Sequence, residues 1–483
     1  MIVPDQWRGD VIHHAGNSAA VTPNLDKFAE TEGVSFTQAY CQNTVCTPSR
    51  CSFMTGWYPH VRGHRTMYHM LRKDEPNLLK TMRDSGYYVA WLGKNDLVPG
   101  QHGYDDYCDE HFVSSDKIRS LWSMDKAQKW RGTPDSDNYY SFYVGKLDKE
   151  GEDHYHDYDW ACIERAIEII KNPPTDKPLF IYVPITYPHP PYAVEDPWFS
   201  MIDRNSLPPR APAPESWNKK PSMVHGIYKN QRLETWTEDR WNELRAVYYG
   251  MCARVDHQFG LVVDALKESG MYDSTALFMF SDHGDYTGDY SVVEKNQNTF
   301  EDCLSRVQCA VKPPSNFKVK PRACDSLVEL IDIPATIEEI TGIAPKHTHF
   351  GKSLLPLIAA ETDEHRDSVF CEGGRLHGEE HCMEKSSKSN QNPEGFYYPR
   401  LCLQTQEGPE HTKAVMCRTK EFKYVRRLYE KDEFYDLKKD PQELNNVIDE
   451  PAFKEEIMRH KERLLTYFME TGDVVPFDTD ARN

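Results

Sequence analysis

A chain of 483 residues with 39% apolar and 12% aromatic side chains carries enough nonpolar surface for a large core, and its formal net charge of -19 repels polyanions. That charge excludes nonspecific nucleic-acid binding and adhesion to anionic membranes, and no run approaches the roughly 20 apolar residues that span a bilayer. Thirteen cysteines, an odd number without regular spacing, argue for reduced thiols and hence for a cytoplasmic protein, although a strand that starts at Met1 leaves open a truncated N-terminus and with it a periplasmic or secreted form.

In chain order, Met1 to Pro4 reads as the end of a buried strand that delivers Asp5-Gln6. Thr22-Pro23-Asn24 opens a helix carrying Leu25, Phe28 and Ala29, with Gly33 as its stop. In Cys46-Thr47-Pro48-Ser49-Arg50, Pro48 suits a first helical turn that Ser49 to Met54 continue. Cys46 then lies at a helix start, where free backbone N–H groups attract anions. Its own chemistry leaves three readings: a thiolate nucleophile with lowered pKa, a chemically modified residue, or a buried cysteine.

Asn77 to Ser85 predicts a helix ended by Gly86, and Tyr87 to Leu92 a strand followed directly by Gly93-Lys94. Residues 97 to 160, rich in Asp, Tyr, Gly and His, predict a long surface excursion. Leu179 to Val183 has the unbroken apolar character of a buried parallel strand, and the prolines of Tyr187-Pro188-His189-Pro190-Pro191 hold His189 behind it. A helix capped by Thr237 presents Trp241, Leu244, Tyr248, Met251, Val255, Phe259, Val262 and Leu266 at steps of three and four, and Gly270 stops it. Thr275 to Phe280 is a strand that carries Ser281-Asp282-His283-Gly284 at its carboxyl end, where open α/β sheets bind ligands. A helix through Leu327, Leu330 and Ile331 is expected before Pro334, with a second helical stretch to Ile340. The texture turns polar near 372, then Ala414-Val415-Met416 and Phe422 to Val425 suggest antiparallel strands, and Pro451 to Met469 a helix. The alternation argues for an α/β architecture, divided into a catalytic domain at 1–371 and a smaller one at 372–483 that completes the substrate pocket.

Asp5, Gln6, Asp282 and His283 sit at strand ends of one sheet and can converge on a metal; the oxygen majority favours calcium, with magnesium and manganese as alternatives. Lys94 and Lys295 suit substrate oxygens, and His189 is a candidate general acid. Arg65 and His69 after the helix that Cys46 starts, with Arg375 and His377 in the segment joining the domains, are basic and imidazole groups that suit an anionic substrate.

Cys46 to Arg50, followed by Thr55-Gly56 and Tyr58-Pro59-His60, resembles the signature of the type I, formylglycine-dependent sulfatases of the alkaline phosphatase superfamily. Asp5-Gln6 with Arg8-Gly9-Asp10, Thr22 to Asp26, Gly33 to Phe36, Gly93-Lys94, Pro188-His189, the helix around Asp256, Ser281 to Gly284 and Phe434 to Leu437 with Asp440-Pro441 and Glu443 are similar in the same order. The resemblance implies an alkaline phosphatase-like fold, with a large central mixed sheet flanked by helices and a smaller C-terminal α+β domain containing an antiparallel sheet. It implies that a formylglycine-generating or anaerobic sulfatase-maturating enzyme oxidises Cys46 to formylglycine. Cys46, Arg50, Lys94, His189 and Lys295 would then be catalytic, and Asp5, Gln6, Cys46, Asp282 and His283 metal ligands. The implied reaction is hydrolysis of an organic sulfate ester, an O-sulfate on a carbohydrate above others. Relatives commonly carry a histidine where this chain has Asp96, so the proton relay differs and Asp96 is assigned to the substrate. The rivals are a phosphonate or phosphate ester hydrolase of the same superfamily and a noncatalytic sulfated-glycan binding protein; the Gly93-Lys94 pattern favours sulfate.

Overall fold

The computed structural model describes every residue except 113–117, 122–123, 175, 385–390, 406 and 483. An eight-stranded mixed sheet runs in the order Arg322–Cys324, Val34–Phe36, Cys309–Lys312, Leu277–Phe280, Ile2–Asp5, Leu179–Pro188, Tyr88–Leu92, Glu110–Phe112. The last five strands in that order are mutually parallel, and Cys309–Lys312 runs antiparallel between Leu277–Phe280 and Val34–Phe36. Four of the parallel strands therefore end on one edge, and each hands a polar side chain to it: Asp5, Lys94, His189 and Asp282. Burial on both faces explains their unbroken apolar sequence.

The longest helix, Glu238–Glu268, has 31 residues and its Thr237 hydroxyl accepts a hydrogen bond from Arg240 N–H at 3.3 Å. It packs its apolar stripe on one face of the sheet in a core with Ile2, Val183, Ile185 and Met279. From that helix Asp256 accepts hydrogen bonds from the Asn24 and Leu25 backbone at 3.0 and 2.8 Å, which ties the start of the helix Pro23–Thr31 to it.

A second sheet, Val369–Gly373, Ala414–Arg418, Phe422–Arg427, Glu433–Asp436, is antiparallel throughout. One face joins the core of the large sheet through Val369, Cys371, Met416 and Val425. Its other face, with Phe370, Tyr424 and Phe434, receives Ile457, Leu464 and Tyr467 of the helix Lys454–Thr471. The large mixed sheet and the smaller antiparallel sheet are thus both present as expected. No helix among the described residues is long and apolar enough to cross a membrane.

Two expectations are corrected. Leu327 to Ile331 is not helical: Val328–Glu329 is a short strand parallel to Ala39–Tyr40, and the helix begins at Asp332. Pro334 stands within that helix's first turn, where its missing N–H costs nothing, so it does not separate two helices. Residues 97–160 are also more than a surface excursion. Glu110–Phe112 forms the edge of the large sheet, Tyr143–Leu147 pairs parallel with Tyr192–Glu195, and Met124–Arg131 is a helix. Strands of three to five residues with distant partners leave little periodicity to read.

Candidate active site

The helix Cys46–Thr55 is buried at all ten residues, so it carries no polar stripe and its amphipathicity is negligible. Val45 before it is extended, and Gly56 ends it in the left-handed region at φ 70°. Ser49 Oγ donates to Asp282 O at 2.6 Å, which locks the helix start to the strand end at Phe280. Beyond it, His60 donates to Glu372 Oε1 from both backbone N and Nδ1, at 2.9 and 2.7 Å, tying the Cys46 segment to the antiparallel sheet. Gly93 is required by close approach: at φ 145°, a Cβ there would lie 2.2 Å from Pro184 O. This tight passage delivers Lys94 to the site.

Asp5, Cys46, Asp282 and His283 form one buried cluster whose ligand atoms all lie within 4.8 Å of one another. Arg50 sits beneath it, fully buried, with Nη2 at 3.0 Å from Asp5 Oδ2 and 2.8 Å from Asp282 Oδ2, and Nη1 donating to Tyr182 OH at 3.2 Å. Lys94 Nζ lies 2.7 Å from Asp5 Oδ2, 2.8 Å from Asp96 and 3.7 Å from Cys46 Sγ. On the far side Lys295 Nζ donates to Gln6 Oε1 at 2.6 Å and pairs with Glu294 at 2.9 Å. The Gln6 amide donates in turn to Asp285, whose carboxylate also accepts from Tyr192 OH at 2.8 Å. His283 Nδ1 donates to Gly284 O at 2.9 Å, which leaves Nε2 as the acceptor facing Cys46 Sγ at 3.3 Å.

Electrostatics decide among the readings of Cys46. Burial, and then Asp5, push its thiol far above the usual range, and Lys295 and Lys94 only partly oppose them. The protein's own groups therefore do not lower the pKa of this thiol: two carboxylates share the pocket with the sulfur. Asp5 is the opposite case. Burial resists its ionisation, but Lys94 first, then Arg50 and Lys295, hold it well below the usual carboxylate range. His189 is driven well below 6.5 by burial and by Lys295, and its Nδ1 donates to Pro190 O at 2.5 Å, so the resting ring is neutral.

The donor set fits a hard divalent cation: two carboxylates and a neutral imidazole nitrogen converge, the Gln6 backbone N–H holds Asp282 Oδ1 at 3.1 Å, and the cations beside them already balance part of the charge.

The other expected residues distribute unevenly. Asp96 joins the site through Lys94. Thr47 Oγ1 donates to Met67 O at 3.3 Å, which anchors the segment of Arg65 and His69 at the helix Cys46–Thr55. Arg65 spends its guanidinium on Gly374 O at 2.8 Å and on Glu379 at 3.0 Å. His69 bonds Thr66 Oγ1 at 2.6 Å and its ring lies 6.1 Å from that of His381. Arg375 is buried and binds Gln404 O, Leu376 O and Glu407. His377 is exposed and stacks on Tyr429 at 3.9 Å. Sequence reasoning missed Tyr397, a phenol from the polar segment that is close enough to Lys295 and Lys94 to feel their charges; burial, then Glu294, push its pKa up. The run Tyr397-Tyr398-Pro399-Arg400 was the available signal, an aromatic and basic patch in an otherwise polar stretch.

The Sulfatase family model matches residues 1–343. An arylsulfatase of Clostridium perfringens is 26% identical over 95% of this chain and 91% of its own length. Among solved structures, the phosphonate monoester hydrolase of Agrobacterium radiobacter superposes with a TM-score of 0.74 at 21% identity, covering 97% of this chain and 95% of that one. A protein solved in complex with its substrate D-glucosamine-2-N,6-O-disulfate gives 0.71 at 16% identity, covering 98% and 97%. At such identities the two structures speak to the fold alone.

Proposed function

The chain belongs to the sulfatase family of the alkaline phosphatase superfamily and is a sulfuric ester hydrolase, and from that premise we propose that it removes an O-sulfate from a carbohydrate, using a formylglycine made from Cys46. The observation that carries the proposal is placement: Cys46 stands at a buried helix start, its sulfur 3.7 Å from Lys94 Nζ and 3.3 Å from His283 Nε2, within the same cluster of ligand atoms as Asp5 and Asp282. The hydrated aldehyde supplies two hydroxyls on one carbon, one to attack sulfur and one whose deprotonation releases sulfate, which neither a thiol nor a serine can do. A formylglycine-generating or anaerobic sulfatase-maturating enzyme is the implied partner.

Asp5, Gln6, Asp282 and His283, with the modified residue 46, would hold a divalent cation, calcium before manganese or magnesium; bound there, it would act as a Lewis acid and lower the pKa of the attacking hydroxyl. The chain's own groups do the rest. Lys94, Lys295 and the amides at the start of the nucleophile helix take up charge on the sulfuryl oxygens. Arg50 holds Asp5 and Asp282 in fixed orientation. Asp96, bound to Lys94, keeps that ammonium charged and aimed. His189 meets the leaving oxygen; an arriving sulfate monoanion favours the protonated ring that burial and Lys295 disfavour.

Removing Lys94 as K94A is expected to lower kcat for sulfate esters by about 10²- to 10³-fold with a smaller change in KM, since its charge matters most in the transition state. Steady-state kinetics check this, and a near wild-type kcat overturns the role. H189A is expected to slow esters of alkyl and sugar alcohols by about 10²- to 10⁴-fold while sparing nitrophenyl sulfates, whose leaving groups need no proton. Because the His189 pKa is depressed, its protonated fraction shrinks as pH rises, so the rate with poor leaving groups should climb toward acid pH and lose that dependence in H189A.

We read residues 1–371 as the catalytic domain and 372–483 as the part that closes the pocket, on the strength of Tyr397 reaching the charges of the site. His69, His381 and Tyr397 then bound the sugar, and Arg65 and Arg375 brace the loops around them. A panel of sulfated mono- and disaccharides against aryl sulfates tests the substrate class; preference for small aryl esters throughout would sink the carbohydrate reading. Matched aryl sulfate and phosphonate monoesters test the rival hydrolase activity, which the fold of the phosphonate monoester hydrolase keeps in view. A purely binding protein is set aside.

A further inference from the structure

The loops that leave the active-site strands also wall a second cavity, of about 640 Å³, that shares no residue with the Cys46 cluster. It lies between the stretch after Gln6, the long helix, and the turns around 289, 302 and 442. In a chain of net charge -19, its lining is unusual: five cationic side chains, Arg8, Arg245, Arg306, Arg418 and Lys420, face four carboxylates.

Those carboxylates are already matched. Arg8 lies 2.7 Å from Asp10 and 2.9 Å from Asp289. Arg418 and Lys423 lie 3.0 and 2.7 Å from Asp302, and Lys423 is 2.6 Å from Glu443. Two guanidiniums form no ion pair among the described residues, although Asp10 and Asp302 are close enough to Arg306 for its charge to lower their pKa. Arg245 donates only to neutral oxygens, Asn242 Oδ1 at 3.1 Å and Pro208 O at 2.6 Å. Arg306 makes no side-chain hydrogen bond and no ion pair among the described residues, and its Nε is buried without an acceptor. A buried N–H left unpaired is unfavourable, so such a group is kept where something else supplies the acceptor. The backbone makes room for it: at Gly9 a Cβ would lie 2.9 Å from Arg306 Cγ, so any larger residue would push this arginine off its bed.

We propose that this cavity is a binding site for a small molecule carrying a tetrahedral oxyanion, taken up between Arg245 and Arg306. Planar guanidiniums bind such groups through paired N–H donors. The volume exceeds what a bare ion needs and admits a sugar attached to it. The anion is either free in solution or carried on a saccharide, and the two sources share this chemistry.

Calorimetric titration of the C46A variant with inorganic phosphate and, separately, with glucose 6-phosphate tests the proposal without turnover. Two binding sites are expected. K94A in the C46A background weakens the one at the active site, and R245Q with R306Q weakens the other by about tenfold or more for each arginine lost. Tighter binding of glucose 6-phosphate assigns the cavity to a sugar-borne anion, and tighter binding of phosphate to the free ion. Isotherms unchanged by the arginine substitutions, or no binding beyond the active site, overturn the proposal. Should the double variant melt early, R306Q alone gives the same test, because that side chain has no protein bond to lose. The readout is binding, so it stands apart from any failure of the hydrolysis reading.

Discussion

Replacement of Cys46 by serine is expected to abolish turnover, by on the order of 10⁴- to 10⁶-fold in kcat, while the protein melts at nearly the wild-type temperature. The size of the effect follows from the chemistry of release rather than of attack. A serine hydroxyl at the same helix start meets the same cations, Lys94 and Lys295, and can accept a sulfuryl group. It has no second hydroxyl on the same carbon, so nothing expels the sulfate and the variant stops after a single turnover. Rapid-quench kinetics should show at most one equivalent of alcohol released per enzyme, and C46A should release none. Mass spectrometry of the peptide around residue 46, from cells that contain the maturating enzyme, should find the aldehyde in wild-type protein. An active wild-type enzyme with an unmodified thiol would refute the mechanism outright. The near-neutral effect on folding follows from shape and surroundings: thiol and hydroxyl are similar in size, and the groups against the sulfur, Asp5, His283 and Lys94, are polar.

R50M is expected to cost about 3–5 kcal/mol of stability as well as activity, because it leaves Asp5 and Asp282 buried without the cation between them. Both carboxylates and the guanidinium are fully buried. Burial alone would lower the Arg50 pKa, yet Asp282, Tyr182 and Asp5 hold it well above its ordinary value, so it is charged at every accessible pH. Methionine fills a similar volume and removes only the charge and donors. Denaturant unfolding should report the loss, and a divalent cation in excess should restore part of it in R50M, since the orphaned carboxylates are the ones that would ligate it. A stability change below about 1 kcal/mol would mean that water reaches these carboxylates.

The active-site residues were legible in the sequence to the extent that each follows a strand. Asp5, Lys94, His189 and Asp282 could be named because apolar runs of four to ten residues precede them, and parallel strands in one sheet must end on one edge. Cys46 could be named from its local motif. Partners drawn from elsewhere in the chain were not legible. Asp285, which takes the Gln6 amide, and Tyr397, which borders the lysines, belong to segments without periodicity. The strands at Val328 and Glu110 were missed for the same reason: a strand of two or three residues is defined by its neighbour across the sheet, not by its own pattern.

What the sequence determined by itself is therefore the order of the longer elements, the edge where the candidate site gathers, and the residue whose motif matches the family signature, because these are fixed by local apolar patterning and by short motifs. What only the tertiary structure decided is the state and use of the charged groups. Arg65, Arg375 and Lys295 look alike in a sequence, yet two brace loops through backbone oxygens and one aims at the site. The Cys46 thiol, which a helix start alone would acidify, is pushed up in pKa by burial and by Asp5, two influences that exist only once distant strands bring their ends together.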